Sequence, residues 1–378
     1  MSQRPPKRLR ILLAGTFAGV PGQGGATWAV LQYALGFRAL GHDVLLIEPA
    51  PADPAVLSYF HRVVTGARLA GRATLVHPGR TATGMAYADA ARFAAGADVV
   101  VNLAGVLGDA ELLGPAARRL YVDLDPAFTQ LWHAEGIDMH LAGHDAFASV
   151  GGALGTATCP VPTAGVSWIP TLPPVVLDAW PVSDAPPRHG FTTVGHWRSY
   201  GSITFAGLQL GQKAHALRAL LDLPGQVPGT RFEPALDIHD GDGRDRDALA
   251  AAGWRVLDPA VVAPNPDRYR AFVGASTAEI GVAKSGYVAS RCGWFSDRSA
   301  CYLASGRPVV AQDTGWTRFL TAGEGLLAFT DTGSAADAVR EVQSDWRRHA
   351  KAARRVAEDL FDARVVLARL LESAGVRA

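Results

Sequence analysis

Residues 293–315, GWFSDRSACYLASGRPVVAQDTG, carry the densest set of groups able to do chemistry. Ser296 or Asp297 stands where a helix begins and can accept from backbone N–H groups that have no partner inside the helix. The first-turn N–H groups over Ser296, Asp297, Arg298 and Ser299 then make a site for an anion such as a diphosphate. Ala304-Ser305-Gly306-Arg307-Pro308 stops that helix and feeds the apolar strand Val309-Val310-Ala311. Gln312 and Asp313 emerge at the strand's carboxyl end, where ligands of open α/β sheets usually sit.

Proton-transfer candidates lie earlier in the chain. Tyr121-Val122-Asp123-Leu124-Asp125-Pro126 puts two carboxylates at or just beyond a strand end. Side chains at i and i+2 share one face, so Asp123 and Asp125 are both expected to face one cleft, where either can serve as a general base. The plainer reading is an Asx turn or a helix cap. His144, beside Asp145, is the other candidate. Gly24 and Gly25, in the loop Gly22-Gln23-Gly24-Gly25, permit a ligand to approach the backbone closely. With Thr27 where the third glycine belongs, the dinucleotide fingerprint is incomplete. Glu48 nevertheless ends the second strand where a ribose-binding carboxylate belongs, which keeps a nicotinamide-dependent oxidoreductase among the alternatives.

The elements that must position these groups alternate between strand and helix. Residues 10–15, 44–48, 98–103 and 120–124 are apolar strand-like runs, with a shorter one near 139–142. Helical spacing over 26–40 and 86–95 separates them. A window at 169–190 then carries six prolines and reads as a stiff linker. The pattern restarts with strands at 191–195, 232–238, 254–257, 279–283 and 325–329. The chain ends in helices at 334–345 and 346–371, the second broken near Asp362. Such alternation predicts an α/β architecture of two Rossmann-like, doubly wound halves. We expect a first domain over 1–175, a linker over 176–190, a second domain over 191–355 and a C-terminal helix over 356–378.

The chain has 378 residues, 48% of them hydrophobic and 19% charged, enough for two cores. A net charge of +1 offers no basic footprint, so no nucleic-acid partner is expected. Three scattered cysteines argue against a disulfide framework or a zinc site. With no signal-like N-terminus and no membrane-length apolar run, the expectation is a cytoplasmic protein without an integral membrane segment.

The unit at 304–315 resembles the donor half of two-domain GT-B glycosyltransferases, in which A-x-G-x-P-V-V follows the nucleotide-diphosphate helix. The layout of 190–330 is similar to that superfamily, and the first half shares its strand, Gly-rich loop, helix and GHDV. The resemblance implies two domains facing a cleft, with a C-terminal helix crossing back to the first. It also implies a co-substrate nucleotide-diphosphate sugar, UDP or TDP type, and neither a separate cofactor nor a metal. The acceptor would be a small molecule or saccharide. Arg198 and Lys213 match, in order, an Arg and a Lys that neutralise the leaving diphosphate. Ser296, Asp297, Arg298 and Ser299 would then hold phosphate, Gln312 and Asp313 the sugar, and Gly24 and Gly25 the acceptor side. Asp125, His144 or Asp123 would take the acceptor's proton if the reaction inverts. The paired glutamates of many retaining members are absent: Gly293 and Cys301 occupy their places. An epimerase or hydrolase of the same fold, or a non-catalytic homologue, are the remaining alternatives.

Overall fold

Strands that are apolar on both faces need helices on both sides, and the chain supplies them. The computed structural model describes residues 7–183 and 185–377. Its first sheet contains β1 (Arg10–Ala14), β2 (Asp43–Pro49), β3 (Ala73–His77), β4 (Thr81–Gly84), β5 (Val99–Leu103), β6 (Arg119–Asp123), β7 (Ala146–Ser149) and β8 (Trp168–Pro170). Their order is β4-β3-β2-β1-β5-β6-β7-β8, parallel except for the β3–β4 edge hairpin. At its centre Leu12 lies between Leu45 and Val100.

The second sheet is built from β9 (His189–His196), β12 (Phe232–Asp237), β13 (Ser276–Gly281), β14 (Val309–Gln312) and β15 (Leu326–Phe329). All of its pairings are parallel, in the order β12-β9-β13-β14-β15. Between β9 and the next helix the chain inserts an antiparallel hairpin, β10 (Ile203–Phe205) and β11 (Leu208–Leu210). Two Rossmann-like domains therefore face each other across a cleft.

The proline-rich segment is built into the structure at both ends. Its start forms β8 against β7, and Val175 exchanges backbone hydrogen bonds with Phe361 and Ala363. Trp180 is fully buried against Trp28, with ring centroids 4.9 Å apart. The C-terminal helix Ala363–Ser373 crosses back onto the first helix, Gly24–Ala39. Their closest approach is at Gly36, where a Cβ would sit 2.8 Å from the Ala363 Cβ. The break before this helix falls at Asp362, whose carboxylate accepts from the Arg364 N–H.

Two expected strands differ. Residues 139–142 form no strand, because His140 and Gly143 both take positive φ and turn the chain; β7 begins only at Ala146. Residues 254–257 touch β12 through isolated bridges at Trp254 and Leu257.

Candidate functional site

A cavity of about 410 Å³ opens between the domains. One wall is the loop Pro21–Ala26 at the start of the first helix, and the opposite wall is Val194-Gly195-His196 at the end of β9. Asp237 and Asp258 stand at one end, Asp297 and Arg298 at the other. Gly24 is where the domains meet most tightly: its N–H donates to the Ala263 carbonyl at 3.0 Å, and a Cβ there would lie 2.3 Å from the Asn265 oxygen. Gly25 packs against the Tyr269 ring. The two glycines thus permit backbone-to-backbone contact across the cleft and line the cavity.

The cationic end is assembled from three elements of the second domain. Arg298 occupies the first turn of the helix Asp297–Ala304, with its side chain only 11% exposed. Its Nε donates to the Glu279 carboxylate on β13 and its Nη1 donates to the Val194 carbonyl at 3.1 Å. Burial opposes the guanidinium charge, but Glu279, Tyr269 and Asp297 together outweigh it and its pKa is raised. Lys213 begins the helix Lys213–Ala219 and is 8% exposed. Its Nζ lies 3.0 Å from where a Gly195 Cβ would be. No ion pair or hydrogen bond from this ammonium is found among the described residues. Burial, followed by the nearby Arg298 charge, lowers its pKa well below the ordinary lysine value. Lys213 does not itself line the cavity, but Gly195, against which its Nζ lies, does. The nearby Glu279 and Asp297 charges offset burial only in part, and a buried cation with no hydrogen-bonded acid, next to a second cation, favours an anion close by.

Other predicted residues fall into place differently. Arg198 is exposed and donates to Asp242 at 2.6 and 2.9 Å, outside the cavity lining. The β10–β11 hairpin explains its long separation from Lys213. Ser296 is the residue before the helix, but its hydroxyl makes no capping bond and is buried without a partner. Asp297 opens onto the cavity; burial raises its pKa, with Arg298 opposing. Ser299 is buried behind that turn. Gln312 accepts from the Ala283 N–H at 3.1 Å. Asp313 accepts from the Gly315 N–H at 2.8 Å and faces Arg291 at 3.8 Å. Neither Gln312 nor Asp313 lines the cavity, because each is engaged in shaping its own loop.

The first-domain acids also separate. Asp123 is fully buried, accepting from Thr129, Gln130, Ser149 and the Asp125 N–H at 2.7 to 3.0 Å. The two aspartates therefore do not share a face: the chain leaves the strand at Asp123, and the period of two ends there. Asp125 instead reaches across the domain junction. It accepts from Lys284 at 2.9 and 3.1 Å, from Tyr200 at 2.5 Å and from Tyr287. His144 lies within the first domain, its Nε2 accepting from Asn102 at 3.1 Å and its ring edge-on to Tyr121. Burial lowers its pKa.

Sequence reasoning passed over Glu279, Lys284 as an ion-pair partner, and Tyr33. A lone acid within the apolar run of β13 was the available signal for the first. Glu48 is spent on structure, accepting from the Phe17, Ala18 and Gly19 N–H groups at 2.7 to 2.9 Å. That removes the carboxylate an NAD ribose would have used. Tyr287 and Trp294 stack on each other, ring centroids 4.5 Å apart.

No protein-family model matches the chain, and no curated protein does. Solved structures do. An alpha-glucosyltransferase in complex with UDP-glucose and DNA containing an abasic site shares 12% identity, covering 98% of this chain and 100% of its own, with TM-score 0.66. An alpha-glucosyltransferase with UDP and a 13-mer DNA containing a central A:G mismatch shares 14% over 97% and 100%, TM-score 0.65. The sucrose-phosphate synthase of Thermosynechococcus elongatus shares 14% over 97% and 99%, TM-score 0.58. This chain has the GT-B fold. Within GT-B proteins the expected exclusion of nucleic acid does not stand: two of these neighbours are DNA complexes, so a balanced net charge does not rule out such a partner in this fold. No described helix is long and apolar enough to cross a membrane.

Proposed function

We propose that the protein is a glycosyltransferase that moves a sugar from a nucleoside diphosphate, of UDP or TDP type, to an acceptor hydroxyl on a small molecule or saccharide in the cytoplasm. The observation that carries this reading is a pair of neighbouring cations: Arg298, in the cavity wall at the start of the Asp297–Ala304 helix, and Lys213, buried against the cavity-lining Gly195 with no hydrogen-bonded acid. As the bond from sugar to phosphate breaks, negative charge grows on the diphosphate. Lys213, Arg298 and the first-turn N–H groups are preorganised to stabilise it. The domains would hold acceptor and donor in line, which supplies much of the remaining acceleration.

An inverting course needs a proton acceptor from the first domain, and Asp125 and His144 are its candidates. Both already carry hydrogen bonds that such a step must break. In a retaining course the hydroxyl enters on the face the diphosphate leaves, and the departing phosphate oxygen would take that proton instead. These engaged acids, together with Gly293 and Cys301 in place of paired glutamates, support a second reading as a non-catalytic sugar-nucleotide binder.

Thermal shift of the pure protein with UDP, TDP, GDP, ADP and NAD(H) tests the donor site, because a ligand of the folded state raises the midpoint. A rise with one nucleoside diphosphate, lost in Lys213→Ala, is the expected outcome. A rise with NAD(H) alone rejects the proposal. Release of labelled sugar onto small-molecule, saccharide and DNA acceptors separates the enzyme from the binder.

A further inference from the structure

The Val194-Gly195-His196 end of β9 gathers more positive charge than its own residues carry. Arg298 donates to the Val194 carbonyl, and the Lys213 ammonium lies against Gly195. His196 comes next and lines the same cavity. Its side chain is 39% exposed, so a ligand in the cavity can reach it. Arg198, the arginine expected to serve the phosphate, is engaged by Asp242 instead. His196 stands two residues before it, on the cavity wall.

The two ring nitrogens face different partners. Nδ1 meets the Asp237 carboxylate at 3.1 Å, and Nε2 meets the amide oxygen of Gln23, on the first domain, at 3.3 Å. An ionised carboxylate can only accept, so Nδ1 carries a hydrogen. With an acceptor at each nitrogen, the ring is arranged to hold both hydrogens, and Asp237 balances the resulting charge. The Gln23 side chain makes no other hydrogen bond among the described residues, and its bond to the ring is the longer of the two. An anionic phosphate oxygen is a stronger acceptor than that amide. Asp258, Asp297 and Arg298 are the other charged groups on the cavity walls, with Lys213 behind Gly195. The three carboxylates favour a charged ring and the two cations oppose it. An arriving diphosphate shifts that balance toward the charged form.

We propose that His196 is a cationic ligand of the donor's diphosphate, beside Lys213 and Arg298, and that donor binding takes up a proton there. The proposal rests on the donor-site reading above. The Nε2–H turns from Gln23 to a phosphate oxygen while the Nδ1–H stays on Asp237. The proton comes from solvent, and no covalent bond between heavy atoms forms or breaks. Because the complex then holds more protons than the free protein, donor affinity rises as pH falls from about 8 to about 5, where histidine gains its charge.

Calorimetry of UDP-glucose and TDP-glucose with the full chain, at about pH 6 and about pH 8, tests this, since the diphosphate of a sugar ester does not itself titrate between them. The expected result is about tenfold tighter binding at the lower pH, with a heat that depends on the ionisation enthalpy of the buffer. His196→Gln should shrink that ratio by about threefold or more and reduce the proton uptake. Any part that Lys213 supplies persists in this variant, so the difference between the two proteins reports His196. His196→Arg, whose charge does not titrate, should bind at about pH 8 nearly as tightly as the native chain does at about pH 6. An unchanged ratio in His196→Gln, or a His196→Arg protein that binds no tighter than His196→Gln at the higher pH, overturns the proposal while the donor-site reading stands. If neither ester binds at either pH, the donor-site reading falls, and this proposal with it.

Discussion

Lys213 and Lys284 stand at the same domain junction, and what faces each of them differs. The Lys284 ammonium donates to both oxygens of Asp125 and lies over the rings of Tyr200, Tyr287 and Phe128, 4.3 to 5.1 Å from their centroids. It is a finished contact that ties the second domain to the first. Lys213 is more deeply buried, has no hydrogen-bonded acid and shares its neighbourhood with Arg298 as well as Glu279 and Asp297. A cation that the fold has fully partnered contributes to architecture. One that the fold has desolvated and left unpartnered is held ready for a charge that arrives from outside.

The contrast is broken most severely at the arginine that Lys213 borders. Arg298→Met leaves Glu279, which has no exposed surface, without its partner. Removing one member of a buried pair costs about 3–5 kcal/mol, so chemical denaturation of this variant should show a loss of that order along with lost diphosphate binding. A loss under about 1 kcal/mol means that Arg298 and Glu279 do not behave as a buried ion pair. Lys284→Met comes next. With the tyrosines still donating to Asp125, the expected destabilisation is about 1–3 kcal/mol. Nucleoside-diphosphate affinity should stay within about threefold, as expected for sites that do not share a ligand. A collapse of that affinity would make Lys284 part of the anion site and erase the distinction between the two lysines.

How much of this could be read from the sequence depends on how local the signal is. The β1, β2, β5 and β6 runs are apolar without interruption because both faces are covered, and they stand out on that account. The break at Asp362 is a helix cap with a short-range signature. The β3–β4 and β10–β11 hairpins were not legible: β4, β10 and β11 run for only three or four residues, too short for an alternating pattern to stand out. Lys213 and Arg298 were legible as cations at helix starts, and Gly24 and Gly25 as close-approach positions. Which cation lacks an acid depends on residues far away in sequence, Glu279 for Arg298 and Asp125 for Lys284, and no spacing rule reaches them. Asp123 and Asp125 misled for the opposite reason. The pleat rule holds only inside a strand, and the Asp125 N–H, two residues past its end, folds back onto Asp123.

The smallest expected effect is also the one that separates the two lysines without any ligand. The Lys213 pKa in the fold lies well below its value in the unfolded chain, because burial disfavours the charge. A group with a depressed native pKa contributes stability that is fully present above the unfolded value and is lost as pH falls through the native one. The free protein should therefore gain stability from this residue as pH rises towards the ordinary lysine value of about 10.4, and Lys213→Met should flatten that part of the curve. The same variant should raise the unfolding midpoint at neutral pH by a few degrees, since an apolar side chain of similar length has no charge to desolvate. Lys284→Met should lower the midpoint under the same conditions. Denaturation of the three proteins at matched pH checks both signs at once. If Lys213→Met also lowers the midpoint, an acid pairs with Lys213 in solution, and the case for a waiting anion site is lost.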